Sequence, residues 1–129
     1  MSRRIKYRVW DNENKSYSDP YSSAYYALTQ DGGLDFYCHG DHMKEADPNV
    51  YFIEQYTGLK DKNGKEIYEG DIVDDGFSNI CKIRWSEDFT AFEATNNDGY
   101  VTRIWFAAKY GEVIGNIHEN PELLGKEEE

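Results

Sequence analysis

The stretch GDIVDDGFSNICKIRWSEDFTAFEATNNDGYVTRIW, residues 70–105, decides the fold class. It divides into short runs rich in β-branched and aromatic side chains: Ile72 to Asp74, Asn79 to Trp85, Thr90 to Thr95 and Tyr100 to Trp105. Turn signals punctuate them. Gly70-Asp71 precedes the first run and Asn97-Asp98-Gly99 precedes the last, where glycine supplies the positive φ of a tight turn. Short runs at such even spacing predict a meander or barrel.

Toward the N-terminus, Ile5, Tyr7 and Val9 alternate with Lys6, Arg8 and Trp10, the period of a strand with one buried face. Asp11 to Lys15 is a polar turn and Ser18 to Ser23 a loop. Ala24 to Thr29 fits a strand or a short helix equally, whereas Asp31-Gly32-Gly33 is a hairpin signal and Leu34 to Cys38 the returning strand. His39 to Asn49 reads as an irregular connection, Val50 to Tyr56 as a strand, and Gly58 to Gly70 as a turn-rich connector around Ile67 and Tyr68. Toward the C-terminus, Val113, Ile114 and Ile117 form a last strand in which Gly115 marks a bulge or a close backbone contact, and Asn120 caps a helical turn opened by Pro121. The expected core is Ile5, Tyr7, Val9, Ile72, Val73, Ile83, Trp85, Val113 and Ile117. The expected fold is mainly β: a small, partly open barrel or meander, compatible with an SH3-like barrel, carrying an irregular insertion and a short C-terminal helical turn.

Composition agrees. The 129 residues fit one domain. A charged fraction of 30% and a mean hydropathy of −0.85 are values that disordered chains share, but aromatic residues at 16%, among them 11 Tyr and 3 Trp, are not. The formal net charge of −11, from 25 acidic and 14 basic residues, repels phosphate backbones and anionic membranes, so nucleic acid is a disfavoured partner. A local exception is the basic start, Arg3, Arg4, Lys6 and Arg8, set against the acidic run Glu127 to Glu129. Two cysteines are too few for a disulfide framework, and no apolar run approaches the length of a membrane span, so a reduced, cytoplasmic protein is expected.

The string YTGLKDKNGKEIYEGDIV, residues 56–73, resembles the central signature of the YopX-like family of phage and prophage proteins. RIKYRVWDNENK, residues 4–15, is similar to the family's opening strand and turn, EVIGNIHENPELL, residues 112–124, to its closing segment, and Lys82 to Trp85 to a strand ending in Trp. Residues 16–50 stay outside these blocks and form the variable region. The resemblance implies a mostly β fold and a phage or prophage setting, and it implies no reaction. Gly58, Gly64 and Gly70 read as turn residues, and Asp71 as an acceptor for backbone N–H groups ahead of its strand.

No constellation for catalysis stands out. Cys38, His39, Asp41 and His42 lie close in sequence, but zinc sites assemble from two separated ligand pairs, and only His118 and Cys81 remain elsewhere. No cofactor or metal is therefore expected. Cys81 sits inside an apolar run, the ordinary place of a buried thiol. Acid pairs such as Glu69 and Asp71, Asp74 and Asp75, or Glu87 and Asp88 are expected by chance in so acidic a chain. Tyr21, Tyr25, Tyr26, Phe36 and Tyr37 cluster in the variable region, and tyrosine-rich surfaces favour protein recognition, although core packing is the commoner role of such residues. The expected function is a non-enzymatic accessory module that binds a protein, of host, virus or a second copy. The alternative is a role with nucleic acid, through the basic first strand or through acidic mimicry of DNA.

Overall fold

The computed structural model describes residues 4–125; Arg3 and Glu127 to Glu129, which carry part of the expected charge asymmetry, lie outside them. The chain is mainly β, with twelve strands, one α-helix and one 3-10 turn among the described residues. These form two compact units, residues 7–54 in one, and residues up to Lys6 together with those from Gln55 onward in the other.

The larger unit contains the meander. Strands β8 (Asp71–Asp74), β9 (Ile80–Ser86), β10 (Ala91–Thr95) and β11 (Val101–Arg103) follow one another antiparallel, and β12 (Glu112–Asn116) returns beside β8. The expected bulge in the last strand is present, because the β8–β12 register shifts between Val113 and Gly115. One sheet face packs Val73, Cys81, Ile83 and Ala94 against Ile67 and against Ala107 and Ala108 of α1 (Ile104–Tyr110). The other unit holds β1 (Tyr7–Asp11), β2 (Ser16–Tyr17), β3 (Ala24–Leu28), β4 (Leu34–Cys38), β5 (Asp41–Glu45) and the first residues of β6 (Tyr51–Lys60). Its apolar cluster is separate: Val9, Leu34 and Ala46, with Tyr7, Tyr26, Tyr51 and Ile53 packed on it.

Several expectations need correction. His39 to Asn49 is not irregular, since it contains β5, joined to β4 by a two-residue turn in which His39 (φ 52°) and Gly40 (φ 85°) both take positive φ. Gly58 to Gly70 is more regular than a connector: β6 runs on to Lys60 and pairs with β7 (Glu66–Tyr68) across an irregularity where Gly58 has φ 90°. The run from Tyr100 to Trp105 stops being a strand at Arg103, where α1 begins without a side-chain cap. Asn120 does not cap its turn (Pro121–Leu124) either; its side-chain oxygen accepts from the Asn116 N–H at 3.2 Å. Of the nine expected core residues, Val9, Ile72, Val73 and Ile83 are buried, while Tyr7, Val113 and Ile117 are half-buried. Ile5 is 73% exposed and Trp85 44%, whereas Trp10, expected on the outer face, is buried.

The Gly70-Asp71 step turns as the sequence predicts. Gly70 has φ 88°, its N–H donates to the Ile83 carbonyl at 2.8 Å, and its own carbonyl accepts from Ile117 at 2.9 Å. The buried Asp71 carboxylate accepts the Tyr68 N–H at 2.7 Å. Gly70→Ala should cost on the order of 1 kcal/mol or more, because a Cβ is strained at that φ. Asp71→Ala should cost ~1–3 kcal/mol, the range for leaving a buried N–H donor without its acceptor. Urea denaturation checks both, and unchanged midpoints would mean that the step is not structural.

Candidate functional site

The five aromatic residues singled out in the variable region mostly lie on one three-stranded sheet, ordered β3-β4-β5. Its first hairpin closes where Gly32 takes φ 92°, with the Thr29 N–H donating to the Gly33 carbonyl at 2.9 Å and the Gly33 N–H to Thr29 Oγ1 at 2.8 Å. Alternation along the strands then sorts the aromatics onto opposite faces. Tyr25 lies opposite Tyr37, and Tyr37 opposite His42, on one face. The two tyrosine rings stack with centroids 5.4 Å apart at 8°, and His42 meets Tyr37 edge-on at 5.4 Å while its Nε2 lies 3.5 Å from Asp35. Tyr26 pairs with Phe36 on the other face, and Tyr26 reaches Tyr51 at 5.0 Å in the apolar cluster. Burial, helped by a hydrogen bond with Tyr51, raises the Tyr26 hydroxyl well above the ordinary tyrosine pKa. Tyr21 belongs to neither group; it stands 95% exposed in the loop before β3. The five residues therefore do not make one surface.

Alternation also separates the Cys/His cluster. Cys38 pairs with Asp41 on the face opposite His42, and the Cys38 Sγ instead contacts His39 Nδ1 at 3.3 Å. Among the described residues, no group of three His, Cys, Asp or Glu side chains is placed to hold a metal ion. Cys81 is fully buried, and burial followed by the nearby Asp75 and Asp74 pushes its thiol up to about 11. It is thus a neutral thiol at pH 7.

Buried carboxylates recur, and Asp61, Asp75 and Glu54 face hydrogen-bond donors. Asp61 accepts the N–H groups of Asn63 and Lys65 at 2.9 Å and that of Val113 at 2.9 Å. Burial opposes its ionisation, but these N–H groups outweigh that effect and hold it below the usual carboxylate range. Asp75 behaves alike, with burial outweighed by Phe77, Asn79 and Tyr100. Glu54 accepts from Arg8 Nε at 2.8 Å and from the Tyr17 hydroxyl at 2.9 Å. A carboxyl held below its ordinary range is ionised at neutral pH, the opposite of what a general acid requires.

The basic first strand is largely neutralised. Lys6 bonds Glu66 at 2.8 Å, which lifts the lysine and lowers the glutamate, and Arg8 pairs with Glu54 while lying 4.4 Å over the Tyr17 ring.

Sequence reasoning missed a second aromatic surface. Trp85 and Phe92 lie opposite each other on β9 and β10, on the face that carries Ile83 and Ala94, but beyond the end of the core. They meet edge-on at 5.1 Å and line a groove of about 350 Å³ together with Ile5, Tyr56 and Ala91. Phe89 stands 77% exposed in the adjoining turn. The only signal in the sequence was the density of aromatics around residues 85–92, which core packing explained as readily.

Comparison with known proteins accords with this architecture. The family model described as YopX protein matches residues 6–125. The chain belongs to the YopX family. Protein EF1440 from Enterococcus faecalis is similar in structure, with 28% identity, a TM-score of 0.60, and coverage of 95% of this chain and 99% of that one. Protein yopX from Bacillus subtilis is similar at 26% identity and a TM-score of 0.60, covering 91% of this chain and 95% of its own. No curated protein matches the chain. Among the described residues, no helix of this YopX-family protein is long and apolar enough to cross a membrane.

The sheet edge itself generates a prediction. On β3 two outward backbone groups are met by one side chain: the Leu28 N–H donates to the Tyr7 hydroxyl at 2.9 Å, and that hydroxyl donates to the Tyr26 carbonyl at 3.3 Å. An unpaired strand edge invites pairing with another chain. Tyr7→Phe should therefore lower stability by about 1 kcal/mol and raise self-association, read by urea denaturation and by light scattering. A variant as stable and as monodisperse as the parent would contradict this role.

Proposed function

We propose that this YopX-family protein is a non-enzymatic accessory module of a phage or prophage, acting in the bacterial cytoplasm by binding a protein partner. The observation that carries the reading is the aromatic groove beside Trp85. A tryptophan 44% exposed, flanked by Phe92 and by an Ile5 that is 73% exposed, is apolar area that a protein partner would remove from water. Tryptophan anchors seated in grooves supply much of the energy at protein interfaces. Two further observations support a binding role: the buried Asp61 and Asp75 are committed to backbone N–H groups, and Cys81 is a neutral thiol. Direct nucleic-acid binding by the first strand loses support, since Lys6 and Arg8 already face Glu66 and Glu54.

Affinity capture from infected or lysogenic cells, run in parallel with the parent chain and with Trp85→Ser, tests the reading. The expected result is a copurifying protein that is lost with the variant while its melting temperature stays close to the parent's. An identical set of copurifying proteins from both would overturn the assignment of the groove, and a nucleic acid as the main copurifying species would overturn the protein-binding reading.

A further inference from the structure

The groove beside Trp85 continues past Phe92. A second hollow of about 350 Å³ shares Ala91 and Phe92 with it and reaches Phe89, Val101 and Arg103, all three exposed. Both lie wholly within the larger unit. They meet at an open edge of the sheet. Strand β10 pairs with β9 from Ala91 to Thr95, but β11 pairs only with Glu93, Ala94 and Thr95, because the chain enters α1 after Arg103. Ala91 and Phe92 therefore have a paired strand on the β9 side and none on the β11 side. Trp85 and Phe92 lie on the face that carries Ile83, and Ala91, Glu93, Val101 and Arg103 on the opposite face, so the lining passes around this edge rather than across one face.

The free charges along the path have one sign. Arg4 lines the Trp85 groove and Arg103 the second hollow; both are exposed, and neither makes a side-chain hydrogen bond or ion pair among the described residues. The one lining carboxylate, Glu93, is 9% exposed and is held by Arg84 through Nε at 2.9 Å and Nη2 at 2.8 Å. In a chain with 25 acidic and 14 basic residues, an apolar path whose unpaired charges are cationic runs against the composition. Glu87 and Asp88, in the turn that carries Phe89, line neither hollow, and they disfavour an anion at the middle of the path.

We infer that this path docks an extended segment of a protein partner with apolar side chains at its centre and a carboxylate toward each end, the apolar ones on Trp85, Phe92 and Phe89 and the carboxylates on Arg4 and Arg103. A guanidinium without a partner offers a carboxylate two parallel hydrogen bonds. The inference rests on the reading of the Trp85 groove as a protein-binding site and adds the chemistry of the partner. Charge selects the occupant. A nucleic acid brings an anion at every residue and meets the repulsion of a net charge of −11, whereas an acidic–apolar segment brings anions only where a free arginine stands.

The test uses the full chain and three short acetylated peptides with a common leucine and phenylalanine centre, flanked on both sides by glutamate, by glutamine or by lysine, with oligothymidylate as a nucleic-acid probe. In NMR titrations the glutamate peptide should bind most tightly and shift the Ala91 and Phe92 amides and the Trp85 indole. Arg4→Gln/Arg103→Gln should weaken it by about fivefold, the scale of two exposed ion pairs, and change the glutamine peptide less than about twofold. A charge-matched control at exposed positions that line neither hollow, Lys44→Gln/Lys62→Gln, should change the glutamate peptide less than about twofold, as expected for distant, screened charges. Equal weakening by both double variants, no preference for glutamate over glutamine, no binding of the glutamate peptide, or oligothymidylate binding as tightly would each overturn the proposal. If the glutamate preference fails while partner capture is still lost on Trp85→Ser, the chemistry assigned to the partner falls and the protein-binding reading stands; capture that survives Trp85→Ser removes that reading itself.

Discussion

The carboxylate of Asp61 joins parts of the chain that no strand pairing brings together. One oxygen accepts the N–H groups of Asn63 and Lys65 and so shapes the turn between β6 and β7; the other accepts the Val113 N–H, 52 residues away, at the start of the closing strand. Around it the Lys62 N–H donates to the Gly111 carbonyl at 3.0 Å. Gly111 has to be glycine for a related reason, since a Cβ there would lie 2.5 Å from the carbonyl oxygens of both Ala107 and Asp74. The end of α1, the start of β12 and the β6–β7 turn thus meet at one ionised side chain. Unpaired backbone N–H groups are costly when buried, and a carboxylate is their strongest ordinary acceptor.

The same device recurs. Asp11 accepts the N–H groups of Glu13 and Asn14 after β1, and Asp75 accepts those of Phe77 and Asn79 between β8 and β9. Asp71 does so at the signature turn, and Asp19 and Asp47 bond the N–H two residues on in exposed loops. Much of the acidity that gives the chain its net charge is therefore architectural. Among the described residues, partial positive charge on backbone amides, more than lysine or arginine, balances these side chains.

Turn chemistry was the most legible part of the sequence. Glycine and aspartate at Asp31 to Gly33, Gly70-Asp71 and Asn97 to Gly99 located real turns, because a positive φ or an Asx acceptor restricts the residue type at that position. Strand β5 was missed because DHMKE is polar except for Met43, and a register shift between Phe36 and Tyr37 disturbs its period. Helix α1 was missed because Trp105, Phe106 and Tyr110 favour strands and seven residues without a cap give little helical signal. Ile5 and Trp85 have core-like side chains, yet each stays exposed beside the groove they line with Phe92, a limit set by tertiary packing. The candidate surface divided for the simplest reason: adjacent tyrosines on a strand point to opposite faces, so Tyr25 and Tyr26 could not serve one partner together.

The most direct measurement is the pH dependence of unfolding free energy for the parent and for Asp61→Asn, an isosteric change that puts an amide donor or a neutral oxygen against N–H groups needing an anion. A carboxyl whose pKa is lowered in the folded state stabilises the fold above its unfolded value, near 3.9, and that contribution fades as pH falls through the folded value. At pH 7 the variant should be less stable by roughly 1.5–3 kcal/mol, the range for hydrogen bonds to a charged group, and its loss of stability below about pH 4 should be shallower than the parent's. Equal stability at pH 7 together with superimposable acid transitions would contradict the claim that this carboxylate holds the closing strand in place.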